Sequence, residues 1–247
     1  TTNTYASGRH ALAKSGLEDK YVAWNTKAVA LAHEARNQAE VDRPLYIAGS
    51  VAPYDNWSSY DAATIWASYR EQADLLADAK VDLLILEMLG ADREHALLAF
   101  EAVAHTGLPV WVGLSCLDDP KTGHLHLGAR EISTDENEFF ESHGLFSTAI
   151  QELATKDVSA LLMMHSEVHL GTAALQVIRE NFTGTIGIYP NAGYWQRPNW
   201  AFIETISPEY YWSEAEKWLA LEAQIVGGCC GIGPEHIQVV ADGVRAV

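Results

Sequence analysis

The chain has 247 residues, 48% hydrophobic and 20% charged, with a formal net charge of −17. This is a globular composition with material for a sizeable core, in one large domain or two small ones. The negative charge argues against a nucleic-acid backbone or an anionic membrane surface as partner, and no apolar run reaches the roughly 18 residues a membrane span needs.

Three cysteines occur, Cys116, Cys229 and Cys230, two of them adjacent. Neighbouring cysteines rarely meet disulfide geometry, and a small odd number points to a reducing compartment. The first residues, Thr1 to Tyr5, show neither an initiating methionine nor a signal peptide. A cytoplasmic protein is expected, with a homo-oligomer possible.

In chain order, apolar runs at 45–51, 82–88, 109–114, 160–164, 185–189 and 224–227 are expected to be strands. Each is apolar throughout rather than alternating, which suits parallel strands covered on both faces. Between them, residues 21–38, 62–79, 93–105, 138–155, 172–181, 209–221 and 234–244 are expected to be helices. Asp92 is placed to cap the third of these, and Pro234 suits the first turn of the last. Repeated strand–helix units imply a parallel sheet, either closed or doubly wound. No G-x-G-x-x-G follows a strand and there is no Walker loop, which lowers the case for a nucleotide site. The longest stretch without periodicity, 117–137, is expected to be a loop over the active face. Residues 1–247 are taken as a single domain.

The strongest chemical signal is Gly227-Gly228-Cys229-Cys230-Gly231, directly after the last expected strand. The glycines permit a sharp turn, and two thiolates from one turn can both reach a single soft metal such as zinc. The competing reading is a pair of small buried thiols. Glu87 closes a run of pure hydrocarbon, where a carboxylate is costly unless paired or functional. Tyr54, Trp57, Tyr194, Trp195 and Trp200 crowd the expected loops, and aromatic faces can hold a cationic ligand.

The segment from Val226 to Ile237, VGGCCGIGPEHI, resembles the C-terminal metal motif of the homocysteine S-methyltransferase family. The AGSVAPY run ending at Tyr54, the LEML run holding Glu87 and the YPNAG run holding Asn191 resemble three further family segments in the same order. The resemblance implies a (β/α)₈ TIM barrel. Only six strands are clear, so the chain is expected to begin at the end of the second strand, without the first strand and helix. It also implies a zinc-dependent transfer of a methyl group from a small onium donor to homocysteine or a similar thiol, forming methionine. Glu87 would bind the substrate's amino group, with Asn191 and Tyr54 as further substrate contacts.

The family holds its zinc with three cysteines, the first in a G-x-N-C segment at the end of the sixth strand. Here Met164 and His165 stand in place of the Asn and Cys. Imidazole is a good zinc ligand, so the expected set is Cys229, Cys230 and His165 with a fourth position open. Cys116, after the fifth strand, is the rival third ligand and is expected to be structural. The alternatives are a zinc barrel hydrolase with Glu87 as base, and a thiol- or zinc-binding homologue without catalysis.

Overall fold

The structure, a computed structural model, describes residues 1–53, 61–90, 92–128, 131–132, 143–196 and 201–246. The chain divides into two compact units, 1–89 with 94–112, and 90–93 with 113–247.

The first unit runs α1 (Arg9–Lys14), α2 (Tyr21–Gln38), β1 (Ala48–Val51), α3 (Ala62–Asp78), β2 (Leu83–Leu86), α4 (Arg93–Ala104) and β3 (Val110–Leu114), with the ends of α4 and β3 passing into the second unit. Ala48 pairs with Leu83 and Leu84 with Val110, both in parallel register. Every residue of β1 and β2 is buried, as two-sided apolar runs require. Helix α3 starts where the Asp61 carboxylate accepts from Thr64 N at 2.9 Å, and it buries Ile65, Tyr69, Ala73 and Leu76 at helical spacing. Thr2 N donates to Ala48 O at 2.8 Å and Thr4 Oγ1 donates to Ser50 O at 2.6 Å. The first residues therefore lie alongside β1.

The second unit contains β4 (Cys116–Asp118), β5 (Leu125–Leu127), β6 (Glu131–Ile132), α5 (Phe146–Leu153), β7 (Ala160–Glu167), α6 (Gly171–Asn181), β8 (Thr185–Asn191), β9 (Tyr194–Gln196), β10 (Ala201–Ile203), α7 (Pro208–Ala220), β11 (Ile225–Val226) and α8 (Pro234–Ala246). Strand β8 lies between β7 and β11, parallel to both, with Ala160 opposite Thr185 and Ile225 opposite Gly187. A Cβ on Gly187 would stand 2.5 Å from Leu162 Cδ2, so close packing between strands sets that glycine. The parallel strands alternate with helices, the repeat expected of a (β/α) barrel.

Three expectations need correction. Of the helix placed at 138–155, residues 138–142 lie outside the described residues and α5 covers Phe146–Leu153; His143 N donates to Leu127 O and Leu127 N to Gly144 O, which holds 143–144 against β5 instead. The stretch 117–137 is not only loop, because β4 and β5 form an antiparallel hairpin in it. Strands β7 and β8 run two to three residues past their apolar cores, to Glu167 and Asn191.

Burial of Tyr21, Tyr69, Tyr211 and Cys116 raises each acid's pKa, and the Cys116 thiol is pushed from 9.0 up to about 12. A raised folded value leaves full stability below the unfolded pKa and removes it as pH climbs through the folded one. Cys116 alone therefore costs about 1.4 kcal/mol per pH unit above roughly pH 9. Thermal unfolding followed from pH 7 to 11 should show melting temperature falling steadily above pH 9, with a shallower fall in Cys116→Ala. A flat profile to pH 11 would contradict this.

Candidate metal centre

His165 sits where β7 carries one residue too many. Met164 pairs with Tyr189 and the next pair is Glu167 with Asn191, so three steps on β7 match two on β8. The excess is taken up as a β-bulge, in which His165 adopts a left-handed φ of 49°. That conformation costs a non-glycine residue about 1 kcal/mol and is typical of sites where a bulge re-aims a side chain. Buried Ser166 pins the bulge: its hydroxyl donates to Met164 O and accepts from Cys116 N, both at 2.8 Å.

The facing turn comes from β11. Gly227 N donates to Ile188 O and Cys229 N to Pro190 O, each at 2.9 Å. Cys230 N donates to Asn191 Oδ1 at 3.2 Å, and Ala192 N returns a bond to Cys230 O at 2.8 Å. Gly231 has a φ of 76°, and a Cβ there would meet the Phe202 ring at 2.1 Å, so only glycine serves.

These elements bring three soft or borderline donors together. Cys229 Sγ lies 3.8 Å from Cys230 Sγ, and His165 Nδ1 lies 3.7 Å and 3.9 Å from the two sulfurs. A tetrahedral zinc with Zn–S of ~2.3 Å and Zn–N of ~2.05 Å would need S···S of ~3.8 Å and S···N of ~3.6 Å. The three edges match that triangle to within a few tenths of an ångström. His165, Cys229 and Cys230 are also the one group of three or more possible metal-ligating side chains found among the described residues. All three are partly exposed.

Cys116 is not in that group. It is buried, its thiol held neutral by desolvation, and its backbone N–H serves the bulge through Ser166. Asn191 ends β8 rather than lying on the following loop, and its carboxamide touches the cysteine turn directly. Glu87 follows β2 in the other unit, where the buried Ser50 hydroxyl donates to its carboxylate and its own N–H donates to Val51 O at 2.9 Å. Tyr54 lies outside the described residues, as do Trp57 and Trp200. A cavity of about 460 Å³, lined by Glu167, His169, Asn191, Tyr194 and Glu204 among others, shares Glu167, Asn191 and Tyr194 with the small pocket around His165. Nothing in the sequence singles out Ser166, whose role depends on the bulge.

A family model, Homocysteine S-methyltransferase, matches residues 1–244. The chain belongs to the homocysteine S-methyltransferase family. Among its relatives, homocysteine S-methyltransferase YbgG of Bacillus subtilis is 22% identical over 239 residues, covering 89% of this chain and 70% of that protein. The selenocysteine methyltransferase of Astragalus bisulcatus is 24% identical, covering 79% of this chain and 58% of the relative. The crystal structure of the metallated form of homocysteine methyltransferase MmuM from Escherichia coli superposes with a TM-score of 0.73 at 23% identity, over 98% of this chain and 78% of that one. That likeness shows the barrel-type α/β fold. Membership places the chain among enzymes of thiol methyl transfer, and the donor triangle points to a metal.

The burial pattern orders the thiols by reactivity, since only thiolates alkylate readily. Brief iodoacetamide treatment of the native, chelator-stripped protein should label Cys229 and Cys230 and spare Cys116, as read by peptide mass spectrometry. Labelling of Cys116 at the same rate would overturn its assignment as an inert interior thiol. Gly231→Ala should lower the melting temperature and widen the turn, measured as a loss of bound-metal stoichiometry relative to the parent protein; unaltered stoichiometry and melting temperature would contradict the tight-turn account.

Proposed function

We propose that the chain is a zinc-dependent S-methyltransferase that moves a methyl group from a small onium donor to homocysteine or a similar thiol, giving methionine from homocysteine. The observation that carries this is the His165–Cys229–Cys230 triangle, with edges that suit tetrahedral zinc, in a chain of this family. The donor set itself supports zinc, since two thiolates and one imidazole make a known catalytic arrangement with one position free. A selenol is a second acceptor of the same chemistry, and one relative is named a selenocysteine methyltransferase.

When bound, zinc would lower the acceptor's thiol pKa so that it reacts as a thiolate. Every other contribution comes from the chain. Cys229, Cys230 and His165 fix the metal. Asn191 holds the Cys230 amide and borders the cavity in which the acceptor would lie. Glu87 is assigned to the substrate ammonium and Tyr54 to a further substrate contact. The acceptor's proton leaves to solvent, its sulfur forms the new S–CH₃ bond in line, and the donor departs as a neutral thioether or amine. Orientation and exclusion of water then supply the acceleration.

Replacing one family cysteine by histidine changes the charge. Three thiolates leave a zinc site at −1, whereas Cys229, Cys230 and His165 leave it neutral. A neutral site favours thiolate binding and makes that thiolate a weaker nucleophile. The expected results follow. Metal analysis should find one zinc per chain, and S-methylmethionine or betaine with homocysteine should give methionine. His165→Ala should lose zinc and transfer, while His165→Cys should keep zinc and raise the rate of the chemical step. Glu87→Gln should raise KM for the acceptor by about tenfold, the order of a lost charge-assisted bond, with little change in melting temperature. Full zinc occupancy and undiminished transfer in His165→Ala would refute the ligand assignment and bring Cys116 forward.

A further inference from the structure

The ladder between β8 and β11 is interrupted at one specific bond. Val226 pairs with Ile188, Gly227 N donates to Ile188 O and Cys229 N donates to Pro190 O. Continuing this parallel register, the donor to the Gly227 carbonyl should be the backbone N–H of residue 190. Residue 190 is proline and has none. The missing donor is supplied from elsewhere: the Tyr211 hydroxyl, on α7, donates to Gly227 O. Tyr211 is fully buried, its ring set edge-on against Trp218 at 5.5 Å and His236 at 5.9 Å. His236 in turn accepts from Gly233 N and bonds Ile206 O, each at 3.1 Å, so the tyrosine stands on a fixed support.

We propose that Tyr211 is a positioning residue for the metal turn, its hydroxyl standing in for the amide hydrogen that Pro190 lacks. The proposal goes beyond the ligand assignment and concerns what aims the ligands. Gly227 is two residues before Cys229, and glycines on both sides of the pair leave the turn little stiffness of its own. The bond at the Gly227 carbonyl anchors the start of the turn, and those at the Cys229 amide and at Cys230 anchor its middle, so together they fix where the two sulfurs point. Without the first, the Gly227 carbonyl would be left without its donor in a part-buried position, and the entry to the turn would loosen ahead of the cysteines. Contacts that orient metal ligands in this way are worth about ten- to a hundredfold in metal affinity when removed.

The test is a rescue. Tyr211→Phe keeps the ring and its packing and deletes only the hydroxyl. Zinc affinity, by competition with a chromogenic chelator, should fall at least about tenfold. Amide hydrogen exchange at Cys229 and Ile232, measured without metal, should accelerate. Adding Pro190→Ala to Tyr211→Phe returns a backbone donor to the ladder and should recover most of both losses, while Pro190→Ala alone should leave them near the wild-type values. Unchanged affinity and exchange in Tyr211→Phe would overturn the proposal, as would a double variant no better than the single one. If the phenylalanine variant folds poorly, recovery of its melting temperature by Pro190→Ala supports the substitution of one donor for another, and failure to recover overturns it. The exchange readout separates this inference from the zinc reading. A wild type that binds no zinc sinks the proposed metal, and the exchange rates still decide the role of Tyr211.

Discussion

Strand β8 keeps a regular parallel ladder with β7 as far as Tyr189 and with β11 as far as Ile188, and both ladders become irregular in its last residues. Toward β7 it meets one surplus residue, and toward β11 Pro190 offers a carbonyl but no amide hydrogen. Both neighbouring strands therefore depart from the regular ladder at the same level, β7 by a bulge and β11 by a turn, and backbone that leaves a ladder still needs partners for its polar groups. The structure supplies them locally. The Ser166 hydroxyl serves the bulge, and the Tyr211 hydroxyl and Asn191 carboxamide serve the turn. His165 on one side and Cys229 and Cys230 on the other end up facing each other because both departures begin beside the last residues of β8.

The same constraint separates the three thiols. Cys116 lies a few residues beyond β3, within hydrogen-bond reach of Ser166, yet it is sealed inside and kept protonated. The paired cysteines sit on a turn that no strand covers, partly exposed, where a thiolate can form and a ligand can enter. Burial therefore seals one thiol in the interior and leaves two accessible. The histidine in place of a third cysteine fits this picture. An imidazole reaches further from its backbone than a thiol does, and the left-handed bulge at His165 sets where that longer side chain starts.

Much of the fold was legible because its signal is local. Six apolar runs became six strands, and turn residues such as Pro234 and Gly231 lie where the chain changes direction. The cysteine pair was legible for the same reason, since flanking glycines and the preceding apolar run are adjacent in sequence. What escaped was anything set by pairing across strands. The extension of β8 to Asn191 reads as a loop, because Pro190 looks like a breaker until its carbonyl finds Cys229. Of the helix expected at 138–155, residues 143–144 are held by Leu127 instead, a partner the sequence cannot name. Ser166 and Tyr211 are ordinary residues in ordinary elements, and their importance comes only from the bonds the neighbouring backbone fails to make.

The central claim is a zinc site of two sulfurs and one imidazole nitrogen whose open position takes the acceptor thiol. X-ray absorption at the zinc edge of the purified, zinc-loaded protein tests it most directly. The account predicts two sulfurs at ~2.3 Å and lighter atoms at ~2.0–2.1 Å in the resting protein, rising to three sulfurs when homocysteine is added. A chain that binds no zinc, or a sulfur count that does not change when the thiol is present, would contradict it.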